Sequence, residues 1–388
     1  MARLALVSLV MLVPAFSAAD MAGSAPTDPE ELERTTVDVG GTVHIPALAI
    51  PLSRYMSPEA KQKFIDDARN PKLPTGANAS IAKMRIDVDD YYRPIVDRAR
   101  AVYPVKIEEG RLGGVPTQTI TPKEGVAPKN RRRVLINLHG GGFVVGAGLG
   151  GLAESIPVAA VGKFKVVSVD YRMAPENGFP AASEDVVAVY LELLKKYQPA
   201  DIGIYGCSAG GILSAMATAW LQKEKLPTPG AIGILSAGAF GSFAGPPEDS
   251  NSWGGDSRFT GPPLVGEAPL PVDAPMLESL LGPMNYTGSA SKEDPLVSPA
   301  LSPAVLAKFP PTLLITGTRA YDMSAAVQTQ RELTKAGVEA DLHLWDGLGH
   351  CFLIDVDLPE SKEAYAVMGK FFDAHLGHSM AAQAAYIP

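Results

Sequence analysis

Gly206-Cys207-Ser208-Ala209-Gly210 sets a serine between glycines directly after Asp201 to Gly206, an apolar run of strand length. A serine hydroxyl becomes a nucleophile only when a base takes its proton. A G-x-S-x-G turn between a strand and a helix lifts such a hydroxyl out of a sheet edge and leaves the next N–H free, while the helix adds its positive end. A second stretch, Leu138-His139-Gly140-Gly141-Gly142-Phe143, also closes an apolar run. Three successive glycines let the backbone approach a carbonyl and aim N–H groups at one point, as an oxyanion hole requires. The expected donors are Gly140, Gly141 and the N–H of Ala209, with His139 orienting the loop rather than moving protons. No Gly-Lys-Ser/Thr follows, so the loop is not a phosphate cradle.

A base and an orienting carboxylate must follow such a serine. Of the six histidines, His44, His139, His343, His350, His375 and His378, only His350 lies in a loop after the last core strand, in DGLGHCF; His343 falls within that strand. Asp322 lies in the loop before it and preserves the order Ser208, Asp322, His350. An aspartate directly before a helix is also a common N-cap, so two roles are open to it. Asp346 and Asp294 are the fallback carboxylates.

These groups need a scaffold that brings distant segments to one edge. Apolar runs at 133–139, 165–170, 201–206, 230–238, 312–318 and 340–347 alternate with helical patterns near 180–196, 209–225, 323–336 and 361–376. Such alternation predicts an α/β fold with a mainly parallel sheet covered on both faces, whose sites lie at the C-terminal ends of the strands. Further helices are expected over 57–69 and 81–101. Two segments break the alternation, the part before about residue 110 and the Gly-, Pro-, Ser- and Asp-rich 240–300. Both are expected to cap the sheet, and Trp253 and Phe259 to line a pocket or the cap's own core.

The chain has 388 residues, 46% hydrophobic and 20% charged, with a net charge of −8 and no long runs of one sign. That argues against nucleic acid or an anionic membrane as partner; Arg131, Arg132 and Arg133 read as the end of a solvated loop. Residues 1–19 carry Arg3, an apolar stretch from Leu4 to Val13, and Ser17 and Ala19 placed for cleavage before Asp20, the pattern of a secretory signal peptide. A secreted or periplasmic location is therefore expected, with no stable membrane partner after cleavage. Cys207 and Cys351, the only cysteines, exclude a disulfide framework and read as two buried thiols rather than a bridge. Without a supporting histidine cluster, no metal is expected.

Three motifs in order, HGGGF, VVSVDYRMAPENGFPAASED at 166–185 and GCSAGG, make residues 115–378 resemble the hormone-sensitive-lipase family of α/β-hydrolases. The resemblance implies an eight-stranded, mostly parallel sheet, a helical cap from the N-terminal segment, and carboxylic-ester hydrolysis without a cofactor. It places the family's histidine at His350, and it makes Asp170-Tyr171-Arg172 a structural motif. Two positions depart from the pattern. The family's aspartate stands three residues after the glycine ending the preceding strand, which here is Ala320, so Asp322 must reach in from two residues further on. Cys207 stands where the family usually carries an aspartate.

The expectation is a serine carboxylesterase for small to medium acyl or aryl esters, working through an acyl-enzyme. Its organisation would be a signal peptide at 1–19, an N-terminal cap segment at 20–110, and a catalytic domain at 111–388 with 240–300 as a second cap insertion. Its small-molecule partner would be an ester substrate. A small-molecule receptor on the same fold and an amide or lactone hydrolase are the alternatives, the first motivated by Ala320.

Overall fold

Alternating apolar and helical segments after residue 130 form the covered parallel sheet they predict. The computed structural model describes residues 35–37, 39, 43–44, 51–69, 80–241, 286–288 and 290–377. The proposed signal peptide, Trp253, Phe259, His378 and most of 240–300 lie outside the described residues. Two compact units divide the chain, Met1–Pro51 and Leu52–Pro388. In the first, β1 (Thr36–Val37) pairs antiparallel with β2 (Val43–His44).

The second unit contains an eight-stranded sheet. Its strands are β3 (Val105–Leu112), β4 (Val115–Pro122), β5 (Val134–Leu138), β6 (Lys165–Val169), β7 (Ile202–Cys207), β8 (Ala231–Leu235), β9 (Thr312–Gly317) and β10 (Ala340–Trp345). Their order is β10-β9-β8-β7-β5-β6-β4-β3, and only the pairings of β4 are antiparallel. Successive strand residues face opposite sides, so a sheet covered twice needs apolar residues at every position. In β7, Ile202 and Ile204 join one core while Tyr205 and Cys207 join the other.

Helices α1 (Pro58–Arg69), α2 (Ile81–Val102), α3 (Leu149–Gly162), α4 (Ala181–Leu194), α5 (Ala209–Lys223), α6 (Met323–Lys335) and α7 (Pro359–His375) surround it. The core holding Ile204 takes Val186 of α4, Ile212 of α5 and Leu333 of α6; the core holding Tyr205 takes Ile156 of α3 and Phe372 of α7. No helix among the described residues is long and apolar enough to cross a membrane.

Three elements escape the sequence pattern. α3 is covered on every side, with Gly150 through Ala159 all buried, so it shows no amphipathic stripe. The β3–β4 hairpin has a largely exposed outer strand carrying Glu108 and Glu109, and it turns at Gly113 and Gly114, both at positive φ. Because β3 runs to Leu112, the boundary expected at 110 cuts a sheet strand and belongs before Val105. α2 does lie against the segment after the glycine motif: the Arg85 guanidinium donates to the carbonyls of Val144 at 2.9 Å and Ala174 at 3.1 Å.

Candidate active site

Ser208 stands between β7 and α5 at φ +58° and ψ −125°, a conformation that costs a non-glycine residue on the order of 1–3 kcal/mol. The surroundings hold it there. Its N–H donates to the Leu235 carbonyl at 2.9 Å, and the last carbonyl of β5 crowds the turn. A Cβ at Gly206 would lie 2.1 Å from Leu138 O, and one at Gly210 only 1.7 Å from it, so both positions must be glycine.

His350 follows β10 in a loop that returns to the same edge. Its Nδ1 lies 2.6 Å from Oδ1 of Asp322, and both side chains are buried. The second oxygen of Asp322 accepts from Oγ1 of Thr316 at 2.6 Å. Asp322 precedes α6 but makes no capping hydrogen bond, which decides between its two possible roles in favour of the contact with His350. Ala320 is buried in the turn, its N–H donating to the Gly317 carbonyl at 3.1 Å. Asp322, two residues further on, is the carboxylate that reaches the imidazole.

The fallback carboxylates are used elsewhere. Asp346 accepts from Oγ1 of Thr318 at 2.9 Å, and Asp294 accepts from the N–H of Leu296 at 2.9 Å. Nε2 of His350 lies 3.0 Å from the hydroxyl of Tyr321, whose ring stacks on the imidazole with centroids 4.4 Å apart. No hydrogen bond from Oγ of Ser208 occurs among the described residues.

The glycine loop requires one correction. The N–H of Gly140 donates at 2.8 Å to Oε1 of Glu154, so its single proton is spent and cannot also serve an oxyanion. The N–H groups of Gly141, Gly142 and Ala209 have no partner among the described residues. Gly141, Gly142 and Phe143 run consecutively at φ +113°, +63° and +62°, a left-handed run that the glycines make accessible. His139 is buried with its ring stacked 4.1 Å from Tyr171, and the Tyr171 hydroxyl donates to the His139 carbonyl at 2.7 Å. Burial lowers the pKa of His139. Asp170 accepts from the N–H of Gly148 at 2.8 Å, and Arg172 pairs with Asp185 at 2.9 Å, so this tripeptide braces the loop.

Glu154 was not singled out in the sequence, although a lone carboxylate within the Gly- and Ala-rich run of α3 is a visible anomaly. Its Oε2 accepts from Asn137 Nδ2 at 2.9 Å and from the N–H of Cys207 at 3.2 Å, so one carboxylate ties the glycine loop to the residue before Ser208. Burial pushes its pKa up to about 7, against the hydrogen bonds from Asn137, Gly140 and Cys207, which lower it. A folded-state pKa raised in this way stabilises the fold fully below the unfolded value near 4.5, and this stabilisation is lost as pH rises through 7. The shift corresponds to about 3 kcal/mol. Denaturant unfolding at pH 5 and pH 8 should therefore show the stability advantage of the native chain over Glu154→Gln shrinking by about 2 to 3 kcal/mol; equal differences at both pH values would contradict it.

The cysteines also differ from expectation. Cys207 and Cys351 are joined by a disulfide, with Cα atoms 6.3 Å apart, inside the range a bridge spans. Their neighbours, Ser208 and His350, come from strand ends that the sheet brings together, and the reading of two separate thiols took no account of that convergence. In the chain-entropy description a bridge over 144 residues contributes about 5 kcal/mol. Among the described residues no cluster of His, Cys, Asp and Glu could hold a metal ion.

A family model of the α/β-hydrolase fold matches residues 135–354. An esterase from Acinetobacter venetianus is 27% identical over 286 residues, covering 72% of this chain and 87% of its own. The crystal structure of esterase E25 superposes with a TM-score of 0.67 at 30% identity, covering 85% of this chain and 99% of that one. A bacterial hormone-sensitive-lipase-family esterase gives a TM-score of 0.66 at 26% identity, covering 83% and 99%. This chain belongs to the hormone-sensitive-lipase family of α/β-hydrolases. Within this hydrolase, the matched region 135–354 contains the glycine loop, Ser208, Asp322 and His350.

Proposed function

We propose that this hydrolase is a serine carboxylesterase in which Ser208 is the nucleophile, His350 the base and Asp322 the carboxylate that orients the histidine. The observation that carries the reading is the buried 2.6 Å contact between Asp322 and His350 at the edge where the strained Ser208 turn emerges. The Asp322 carboxylate holds the proton of the imidazole on Nδ1, leaving Nε2 with a lone pair. Substrate entry displaces the Tyr321 hydroxyl from Nε2, which then takes the Ser208 proton as Oγ attacks the ester carbonyl. The resulting oxyanion is held by the N–H groups of Gly141, Gly142 and Ala209, aided by the N-terminus of α5. His350 returns the proton to the departing alkoxide, and water activated by the same nitrogen resolves the acyl-enzyme.

Small to medium acyl or aryl esters are the substrates we assign. Phe143 and Tyr286 stack at 4.4 Å and, with Phe179, form an aromatic group beside the glycine loop. The test is a fluorophosphonate together with 4-nitrophenyl butyrate: turnover, and a single covalent adduct on the peptide carrying Ser208, are expected. Folded protein showing neither would leave the nucleophile assignment untenable.

For location we propose an exported chain, because a structural disulfide persists in oxidising compartments and is rare in reducing ones. Expressed with its first residues in a Gram-negative host, the exported protein should begin at Asp20 on N-terminal sequencing; recovery only from the cytoplasm would exclude it.

A further inference from the structure

The Cys207–Cys351 bond links the residue before Ser208 to the residue after His350. Its two ends are held differently. Cys207 is the last residue of β7, fully buried, with its N–H bound by Glu154, so it moves only if the sheet does. Cys351 sits in the connection that leaves β10 at Trp345 and reaches α7 only at Pro359. It is half-buried and has φ +49°, a left-handed conformation that a cysteine keeps only when its surroundings hold it.

Among the non-covalent ties that also act on this loop are two at Cys351 and His350. Oγ of Ser236 accepts from the N–H of Cys351 at 2.9 Å, and Asp322 receives Nδ1 of His350. These ties lead to the ends of β8 and β9. The disulfide leads directly to β7, the strand that presents the nucleophile. A base and nucleophile tolerate little error in relative position, since a misplacement of about 1 Å costs on the order of a hundredfold in rate.

Resting on the assignment of Ser208 and His350 as the working pair, we propose that the disulfide is a positioning element of the hydrolytic site. It holds the His350 loop in register with the nucleophile turn, so that its reduction lowers turnover in a chain that is still folded. Cys351 is the half-buried end and Cys207 the fully buried one, so a dithiol attacks at Cys351. A reagent thiolate attacks it, the S–S bond breaks, and Cys207 leaves as a thiolate that takes up a proton. The second reagent thiol then displaces Cys351 as a thiol and closes a cyclic disulfide. Two electrons pass to the protein, which gains two thiols.

The experiment compares the oxidised protein with protein reduced by dithiothreitol and desalted without oxygen, because free thiols cleave 4-nitrophenyl esters directly. Two free thiols confirm the reduction, and near-ultraviolet circular dichroism reports the fold. For 4-nitrophenyl butyrate at 25 °C the expected result is a kcat lowered 10- to 100-fold with KM within threefold, an unchanged dichroism spectrum, and recovery after oxidised glutathione. The Cys207→Ala/Cys351→Ala double variant should be equally slow and indifferent to dithiothreitol.

A reduced, folded protein within twofold of the oxidised kcat overturns the proposal. So does activity that falls only in proportion to a lost dichroism signal across a temperature series, since the bond would then act through stability alone. If the oxidised protein neither turns over nor labels at Ser208, it is the hydrolytic assignment that fails, and the two failures are distinguishable.

Discussion

Ser208→Ala is expected to lower kcat for 4-nitrophenyl butyrate by roughly 10⁴- to 10⁶-fold, the loss seen when the nucleophile of a serine triad is removed. Only Oγ is deleted. Alanine keeps the Cβ and therefore the same backbone conformation at φ +58°, and the N–H bond to the Leu235 carbonyl does not involve the side chain. The variant should melt within about 2 °C of the native chain, because no packed atom or buried hydrogen bond is lost. Its residual rate would come from the N–H groups of Gly141, Gly142 and Ala209, which still polarise a bound carbonyl. The measurement is steady-state hydrolysis with active-site titration to exclude contaminating esterase. A variant that retains more than a hundredth of the native kcat would remove Ser208 from the reaction.

Asp322→Asn should reduce kcat by about 10³- to 10⁴-fold while leaving KM within a few-fold. The substitution is nearly isosteric, so the cause is a proton rather than a shape. Nδ1 of His350 donates to Oδ1 of Asp322 across 2.6 Å, whereas an asparagine can turn its amide N–H toward the ring and stabilise the opposite tautomer. Nε2 would then carry the hydrogen and could not accept one from Ser208. Thr316, which donates to the other oxygen, can satisfy the amide in either orientation by rotating its hydroxyl. A loss of less than about tenfold would show that Asp322 serves the loop and not the base, and Ala320 would then mark a lost triad position.

Local chemistry was legible where it depended on short stretches. Strand-length apolar runs, the glycine loop and the serine turn each depend on neighbouring residues, and the structure places them at the expected boundaries within a residue or two, except that β8 ends at Leu235, three residues before the end of the run at 230–238. α3 and the β3–β4 hairpin were not legible. One is buried all round and the other is half exposed, so neither displays the periodicity that distinguishes a helix or strand with a single covered face.

The sequence by itself determined the fold class, the serine and its turn, the histidine after the last strand, and the order in which serine, carboxylate and histidine appear. Tertiary structure alone decided how those groups are used. Whether Asp322 caps α6 or meets His350 depends on where the loop after β10 returns. Whether Gly140 offers its N–H depends on Glu154, fourteen residues away along the chain but hydrogen-bonded to it. Whether Cys207 and Cys351 bond depends on β7 and the loop after β10 converging across 144 residues. The physical reason is common to all three. Each N–H, carboxylate and thiol has short-range, directional partners, and only the packing of distant strand ends at one sheet edge determines which partner is within reach.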